Sequence, residues 1–408
     1  MYPARVLGPA PELDLVLAPL AGAVPPDLSG HGFIVGPRPR PGDPLLAGDG
    51  VVWRLDYAHA GPAGVPLRSR AVRTWDAEED WADPSRFTTR GLTRMSFRSG
   101  IRSLANTAIV PFGDGRLMVT CDVGRPWEID PVTLEAVTPV GAYSEWSWSL
   151  LHPVNPLILT TAHPARDPAT GAVWFAETQA ESHLLDMIRD RDRRDLHITR
   201  WDGHGPLQRW RVKGVQIEQS AHQVVLTEDY ILIADTAFAV EFRQLFGNRH
   251  AAAHLSHGDL HIIRRADLTP DRVGKAVPSV HVRLPINVVH FVAAWRNPGG
   301  RLTLGVVALG PNDVSEWIRP GDRRWPDGAP LRPELVGALP SFHDVAPIGR
   351  FVIDAERGRI LDEAVLIDPD RLWAPVFLAT PPIGRDRPAD RFYFNDAGLI
   401  PELLLQRL

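Results

Sequence analysis

Three histidines far apart in the chain could hold one metal ion. His163 lies in Leu159-Thr160-Thr161-Ala162-His163-Pro164-Ala165, His222 in Gln219-Ser220-Ala221-His222-Gln223-Val224, and His290 in Asn287-Val288-Val289-His290-Phe291-Val292. Each sits beside a strand-like run, and they are 59 and 68 residues apart. Imidazole nitrogen suits iron, zinc and copper alike, so ligand type does not choose the metal. A buried histidine hydrogen-bonded to backbone would look the same locally. A second group is His250, His254, His257 and His261 around Asp259. On a strand His257, Asp259 and His261 share one face, but the run reads as a solvated loop entering an edge strand. The acidic stretch Asp76, Glu78, Glu79 and Asp80, between Trp75 and Trp81, reads as an exposed face.

The elements that must position these groups read as strands. Arg116–Thr120, Tyr230–Ala234, Asp259–Arg264, Arg301–Ala308 and Gly349–Ile353 are short apolar runs bounded by Gly, Pro, Asp and Asn. Helical periodicity is confined to Ser182–Arg194, which is charged, and to Phe238–Phe246, a candidate short helix over a cavity. An Asp-led turn recurs after apolar strands: Asp130-Pro131-Val132-Thr133, Asp167-Pro168-Ala169-Thr170, Asp267-Leu268-Thr269 and Asp354-Ala355-Glu356-Arg357. Its spacing suits four-stranded propeller blades of roughly 40–50 residues, in which equivalent strands converge on a central axis. With 34 Gly and 39 Pro spread over 408 residues, many turns are expected and a helical bundle is not. No linker divides the chain, so residues 1–408 are read as one domain.

Charge and cysteine narrow the function. The net charge is −5 and the only lysines are Lys213 and Lys275, which speaks against a general nucleic-acid binder. Cys121 is the only cysteine, so neither an intramolecular disulfide nor a Cys-based zinc cluster can form. There is no run of ~18 apolar residues and the N-terminus is a poor signal peptide. The expectation is a cytoplasmic protein that could still touch a membrane surface. No GxSxG, Walker A or nucleotide fingerprint supports another chemistry.

The motifs together resemble the carotenoid cleavage oxygenase family. They are Val24-Pro25-Pro26-Asp27-Leu28-Ser29-Gly30, then Gly48-Asp49-Gly50, Arg70-Ala71-Val72-Arg73-Thr74, Ala105-Asn106-Thr107, Gly115–Val123 through Gly124-Arg125-Pro126, and the contexts of His163, His222 and His290 in order. The resemblance covers nearly the whole chain. It implies an all-β fold, a seven-bladed β-propeller with short helices and loops forming a dome over one face. It implies Fe(II) held by histidines and O₂-dependent cleavage of a C=C bond in an apolar conjugated substrate, an apocarotenoid, stilbene or other polyene. The substrate would lie in a tunnel, for which Phe238, Phe242, Phe246, Phe291 and Trp295 are candidate walls.

This sequence departs from the family in places. The family's fourth histidine belongs to a C-terminal His-Gly segment, whereas no histidine follows His343 here. Two alignments of the tail stay open: a last strand stopping just short of that histidine, or a propeller incomplete by roughly two blades. Family ligands are oriented by glutamates; near the first such position stands Asp122, which could equally be a turn carboxylate. Near the later positions stand Trp373 or Ala374. The common acidic residue after His222 is Gln223, and Ala293 and Arg296 replace the usual Asn and acidic residue after His290. The alternative reading is therefore a metal-free family member acting as an isomerase, a cyclase or a binding protein for a polyene-like ligand.

Overall fold

Strands dominate the computed structural model. It describes residues 12–40, 43–83, 93–96, 98–146, 158–179, 194–237, 255–293, 299–309, 316–324, 326–338, 346–367, 373–379 and 393–398, the last two segments by backbone alone. The first sheet contains β1 (Leu13–Leu17), β2 (His31–Arg38), β3 (Asp49–Asp56) and β4 (Val65–Ala71), in the order β1-β4-β3-β2. Helix α1 (Trp75–Ala82) and a minimal hairpin, β5 (Met95–Ser96) with β6 (Gly100–Ile101), follow. The second sheet is β7 (Ala108–Phe112), β8 (Arg116–Thr120), β9 (Trp127–Ile129) and β10 (Ala136–Pro139), after which comes the single turn α2 (Tyr143–Trp146).

The third sheet holds β11 (Ala165–Arg166), β12 (Val173–Gln179), β13 (Arg194–Trp201) and β14 (Gln208–Ile217). The fourth begins with β15 (Val224–Leu226), β16 (Tyr230–Ala234) and β17 (Gly258–Arg264). The chain then visits the third sheet, where β18 (Ala276–Val277) lies parallel to β14, before β19 (Val280–Leu284) completes the fourth. The fifth sheet is β20 (His290–Ala293), β21 (Arg301–Val307), β22 (Ile348–Asp354) and β23 (Arg359–Leu366). Strands β24 (Trp373–Ala379) and β25 (Tyr393–Gly398) pair with each other.

Side-chain alternation explains how the sheets stack. In β16, Leu232 and Ala234 face a core shared with Phe291, Leu304, Val306 and Phe351 of the fifth sheet. Ile231 and Ile233 face the other way, onto Ala176, Ile198 and Trp210 of the third. In β8, Met118 packs toward Phe175 of the third sheet, and Leu117 and Val119 toward Val52 of the first. Both faces of the middle sheets are thus buried, each against the next sheet in the chain. Three of the four Asp-led turns close hairpins as expected. Asp130 Oδ1 accepts from the N–H of Val132 and Thr133, Asp167 Oδ1 from Ala169, and Asp354 Oδ1 from Glu356 and Arg357. Asp267 instead ends a short 3₁₀ turn leading toward β18.

The acidic stretch is not an exposed face. Asp76 and Asp80 are fully buried in α1, whose N-cap is Thr74, its hydroxyl accepting from Ala77 N–H at 3.1 Å. Arg94 Nη2 and Arg102 Nε each reach Asp80 at 2.7 Å, and Arg102 also pairs with Asp49. Trp81 Nε1 donates to Asp49 at 3.1 Å, and Ser96 Oγ to Asp76 at 2.6 Å. Buried carboxylates require such partners, and here the arginines come from residues well downstream. The Gly48-Asp49-Gly50 signature is part of this network. Gly50 lies so close to the Ala105 carbonyl that a Cβ would overlap it, and Asn106 Nδ2 donates to the Gly48 carbonyl at 2.7 Å.

The described part of the connection between β21 and β22 extends beyond the fifth sheet. Ile318 and Gly337 pair across it, Gly337 N–H donating to Ile318 O at 2.9 Å. Gly337 O accepts from Leu45 N–H of the first sheet's β2–β3 connection at 2.7 Å. The connection therefore reaches from the fifth sheet to the first. Of the expected helices, Phe238–Phe246 lies outside the described residues, as does Ser182–Arg194 except Arg194, which opens β13. Among the described residues no helix is long and apolar enough to cross a membrane.

Candidate metal centre

His163, His222 and His290 come from three different sheets and meet at one point. His163 stands two residues ahead of β11, His222 two residues ahead of β15, and His290 opens β20. Each of those strands is the terminal strand of its sheet. The backbone fastens the first two: His163 N–H donates to His222 O, and Val224 N–H to His163 O, both at 3.0 Å. Threonines seat the approach to His163 on the β8–β9 connection. Thr120 Oγ1 donates to Ala162 O, and Thr160 Oγ1 lies 2.9 Å from Cys121 O and 3.0 Å from Gly124 O.

The ring nitrogens converge. His290 Nε2 is 3.0 Å from His222 Nε2 and 3.2 Å from His163 Nε2. One nitrogen of each ring lies within 4.8 Å of the others, and among the described residues no other group of three His, Cys, Asp or Glu is so gathered. The His163 ring is inclined by 82° to that of His222 and by 74° to that of His290, so the rings aim nitrogens at a common point rather than stacking. At a nitrogen–metal bond of about 2.1 Å, neighbouring ligands are about 3.0 Å apart on an octahedron and about 3.4 Å apart on a tetrahedron. The spacings of 3.0 and 3.2 Å are short enough for bonds to one first-row ion.

Electrostatics keep the rings in ligand form. His222 Nδ1 lies 2.8 Å from Asp122 Oδ1. That contact holds the ring proton on Nδ1 and leaves the Nε2 lone pair facing the other imidazoles. Burial pushes His222 down to about 3. His163 falls well below its ordinary value, through burial first and the other two imidazoles second. Both are neutral near pH 7, as metal ligation requires. Burial pushes the Asp122 carboxyl up to about 7, against the pull of His163; a cation bound at the rings would lower it again.

The other expected site residues are placed differently or not described. Phe291 follows His290 on β20, so its side chain points to the opposite face, where it is 2% exposed among Leu304, Val306 and Phe351. It packs the fourth sheet against the fifth rather than facing the imidazoles. Phe238, Phe242, Phe246, Trp295 and His343 lie outside the described residues, as do His250 and His254. The second histidine group does not gather as a ligand set. Asp259 sits on β17, an interior strand rather than an edge, and takes His281 Nε2 at 2.6 Å, Arg283 Nε at 3.2 Å and His257 Nε2 at 3.2 Å. His261 is buried rather than solvated, its ring 5.4 Å from that of His281. The role of Gln223 beside His222 was not legible as an asset; its only signal was an amide where an acidic residue is usual.

The family model described as retinal pigment epithelial membrane protein matches residues 8–363. The chain belongs to the carotenoid cleavage oxygenase family. Among its relatives, resveratrol cleavage oxygenase 1 of Aspergillus fumigatus is 30% identical over 182 residues, covering 42% of this chain and 32% of that one. Isoeugenol monooxygenase of Pseudomonas putida is 29% identical over 215 residues, covering 49% of this chain and 40% of that one. The family member described here thus spans about a third to two fifths of the length of these relatives. The crystal structure of Pseudomonas brassicacearum lignostilbene dioxygenase superposes with a TM-score of 0.57 at 18% identity, covering 91% of this chain and 70% of that one. Cobalt-substituted Synechocystis apocarotenoid oxygenase superposes with a TM-score of 0.62 at 18% identity, covering 96% and 76%. These likenesses show the shared fold.

Proposed function

We propose that this protein is a non-haem iron oxygenase that cleaves a C=C bond of an apolar conjugated substrate with O₂. The observation that carries the reading is the convergence of three imidazoles, His163, His222 and His290, from three sheets onto one point. In this reading those residues hold Fe(II), and Asp122 orients His222. Bound iron supplies the activation of O₂. The chain supplies the rest: Asp122 holds the His222 ring proton away from the centre, His222 and His290 are buried, and three separate sheets fix the spacing of the imidazoles. The names of the relatives, among them resveratrol cleavage oxygenase and lignostilbene dioxygenase, support a stilbene, apocarotenoid or other polyene as substrate.

At the level of the fold we take residues 1–408 as one domain on the plan of a seven-bladed propeller, whole or incomplete at its C-terminal end, of which the described residues form five larger sheets and the β24–β25 pair. The connection that joins the fifth sheet to Leu45 is then part of a dome over the metal face. The stacking of the five larger sheets, each against the next, supports this. We take the cytoplasm as its location.

The test is incubation of the iron-loaded protein with a hydroxystilbene and an apocarotenal under labelled O₂. The expected result is aldehyde products carrying label, absent in His222→Ala. Full iron occupancy with no aldehyde from either class contradicts the oxygenase reading. Isomerised substrate formed without iron would establish the metal-free alternative in its place.

A further inference from the structure

Gln223 touches all three histidine-bearing segments. Its Nε2 donates to the carbonyl of Phe291 at 2.9 Å, and its Oε1 accepts from the N–H of Phe291 at 2.9 Å. This pair of bonds is what a neighbouring strand would offer to one residue. Phe291 follows His290, and Gln223 follows His222. The backbone of Gln223 is in turn bridged to His163, flanked by the bonds from His163 N–H to His222 O and from Val224 N–H to His163 O.

Strands β15 and β20 belong to different sheets, and among the described residues no backbone ladder joins them. The Gln223 amide takes the place of that ladder. The far side of Phe291 is locked as well, because its ring is buried between sheets. Fixing the backbone of Phe291 therefore fixes the start of β20 and the direction of the His290 ring. A carboxylate at residue 223 could not do this, because it has no N–H to donate and would set an acceptor against the Phe291 carbonyl.

We propose that Gln223 is a positioning residue that sets the spacing of the three imidazoles by tying the His222 segment to the start of β20. Its consequence for metal binding rests on the metal-centre reading; its effect on the rings does not. The test compares the full-length protein with Gln223→Met, Gln223→Glu and the control Thr227→Ala. Thr227 Oγ1 caps the turn between β15 and β16 by accepting from Tyr230 N–H at 2.9 Å, so its loss loosens the same hairpin without touching the amide.

Two quantities are read: Co(II) affinity with its visible absorption band, and the ring nitrogen signals of the histidines in metal-free protein. The expected result for Gln223→Met is a loss of about 10–100-fold in Co(II) affinity with a changed band. The ring signals of His163, His222 and His290 should move together. Gln223→Glu, which keeps the bond to the Phe291 N–H, should fall between, and it provides the comparison should Gln223→Met fail to fold. Thr227→Ala should melt earlier with the parent's affinity, band and ring signals. Parent-like affinity and ring signals in the Gln223 variants, or equal losses in Thr227→Ala, would overturn the proposal. If the parent itself binds no Co(II), the metal reading fails, and the ring signals alone decide the role of Gln223.

Discussion

A buried imidazole ligates a metal only when its proton is held on the far nitrogen, and in the proposed centre that task falls, for His222, to Asp122. The carboxylate lies one hundred residues upstream and 2.8 Å from Nδ1. Asp122→Asn keeps the shape and removes the charge. Its expected effect is a loss of about 10–100-fold in Fe(II) affinity with little change in fold, measured by chelator competition alongside circular dichroism. Unchanged affinity would mean that backbone alone orients the ring. Histidine convergence was legible in the sequence because each ligand adjoins an apolar strand run that marks its place in a sheet. The partner of Asp122 was not, since nothing local to residue 122 points to residue 222. Gln223 was legible only as a departure from the family, because a side chain that replaces a strand pairing shows itself only once Phe291 stands beside it.

Strands announced themselves better than the helix did. Arg116–Thr120 and Tyr230–Ala234 were read from sequence with the bounds they have in the structure, because apolar residues buried on both faces leave an unbroken run between turn residues. Helix α1 was misread as an acidic surface. Asp76 and Asp80 stand four residues apart on one helical face, and their arginine partners come from residues 94 and 102, which only the fold brings near. Removing the buried cation in Arg102→Met leaves Asp49 with Trp81 and no cation, and Asp80 with Arg94 alone, and a loss of about 3–5 kcal/mol is expected in a denaturant titration. A loss below about 1 kcal/mol would show that the network is solvated. Gly50→Ala drives a methyl group into the Ala105 carbonyl. A loss of at least about 1–3 kcal/mol is expected there, read as a lowered Tm, with Gly61→Ala as a control because nothing lies near that Cβ.

The sheets are stacked so that one side of the third, fourth and fifth brings a histidine to a shared point. The connection between β21 and β22 reaches from the last of these sheets to the first. Recurring turns and strand runs showed a blade-like repeat, whereas the order in which the sheets stack depends on distant contacts that no local pattern encodes. A centre assembled from three sheets makes metal occupancy a property of the whole fold, so bound metal should raise the Tm of the entire chain. The central claim is most directly tested by anaerobic titration of the purified protein with Fe(II), followed by desalting and iron analysis, with His222→Ala and His343→Ala beside the parent. The account predicts one iron per chain in the parent and in His343→Ala, and none in His222→Ala. Absence of stoichiometric iron in the parent with Fe(II) in excess, or full occupancy in His222→Ala, would contradict it.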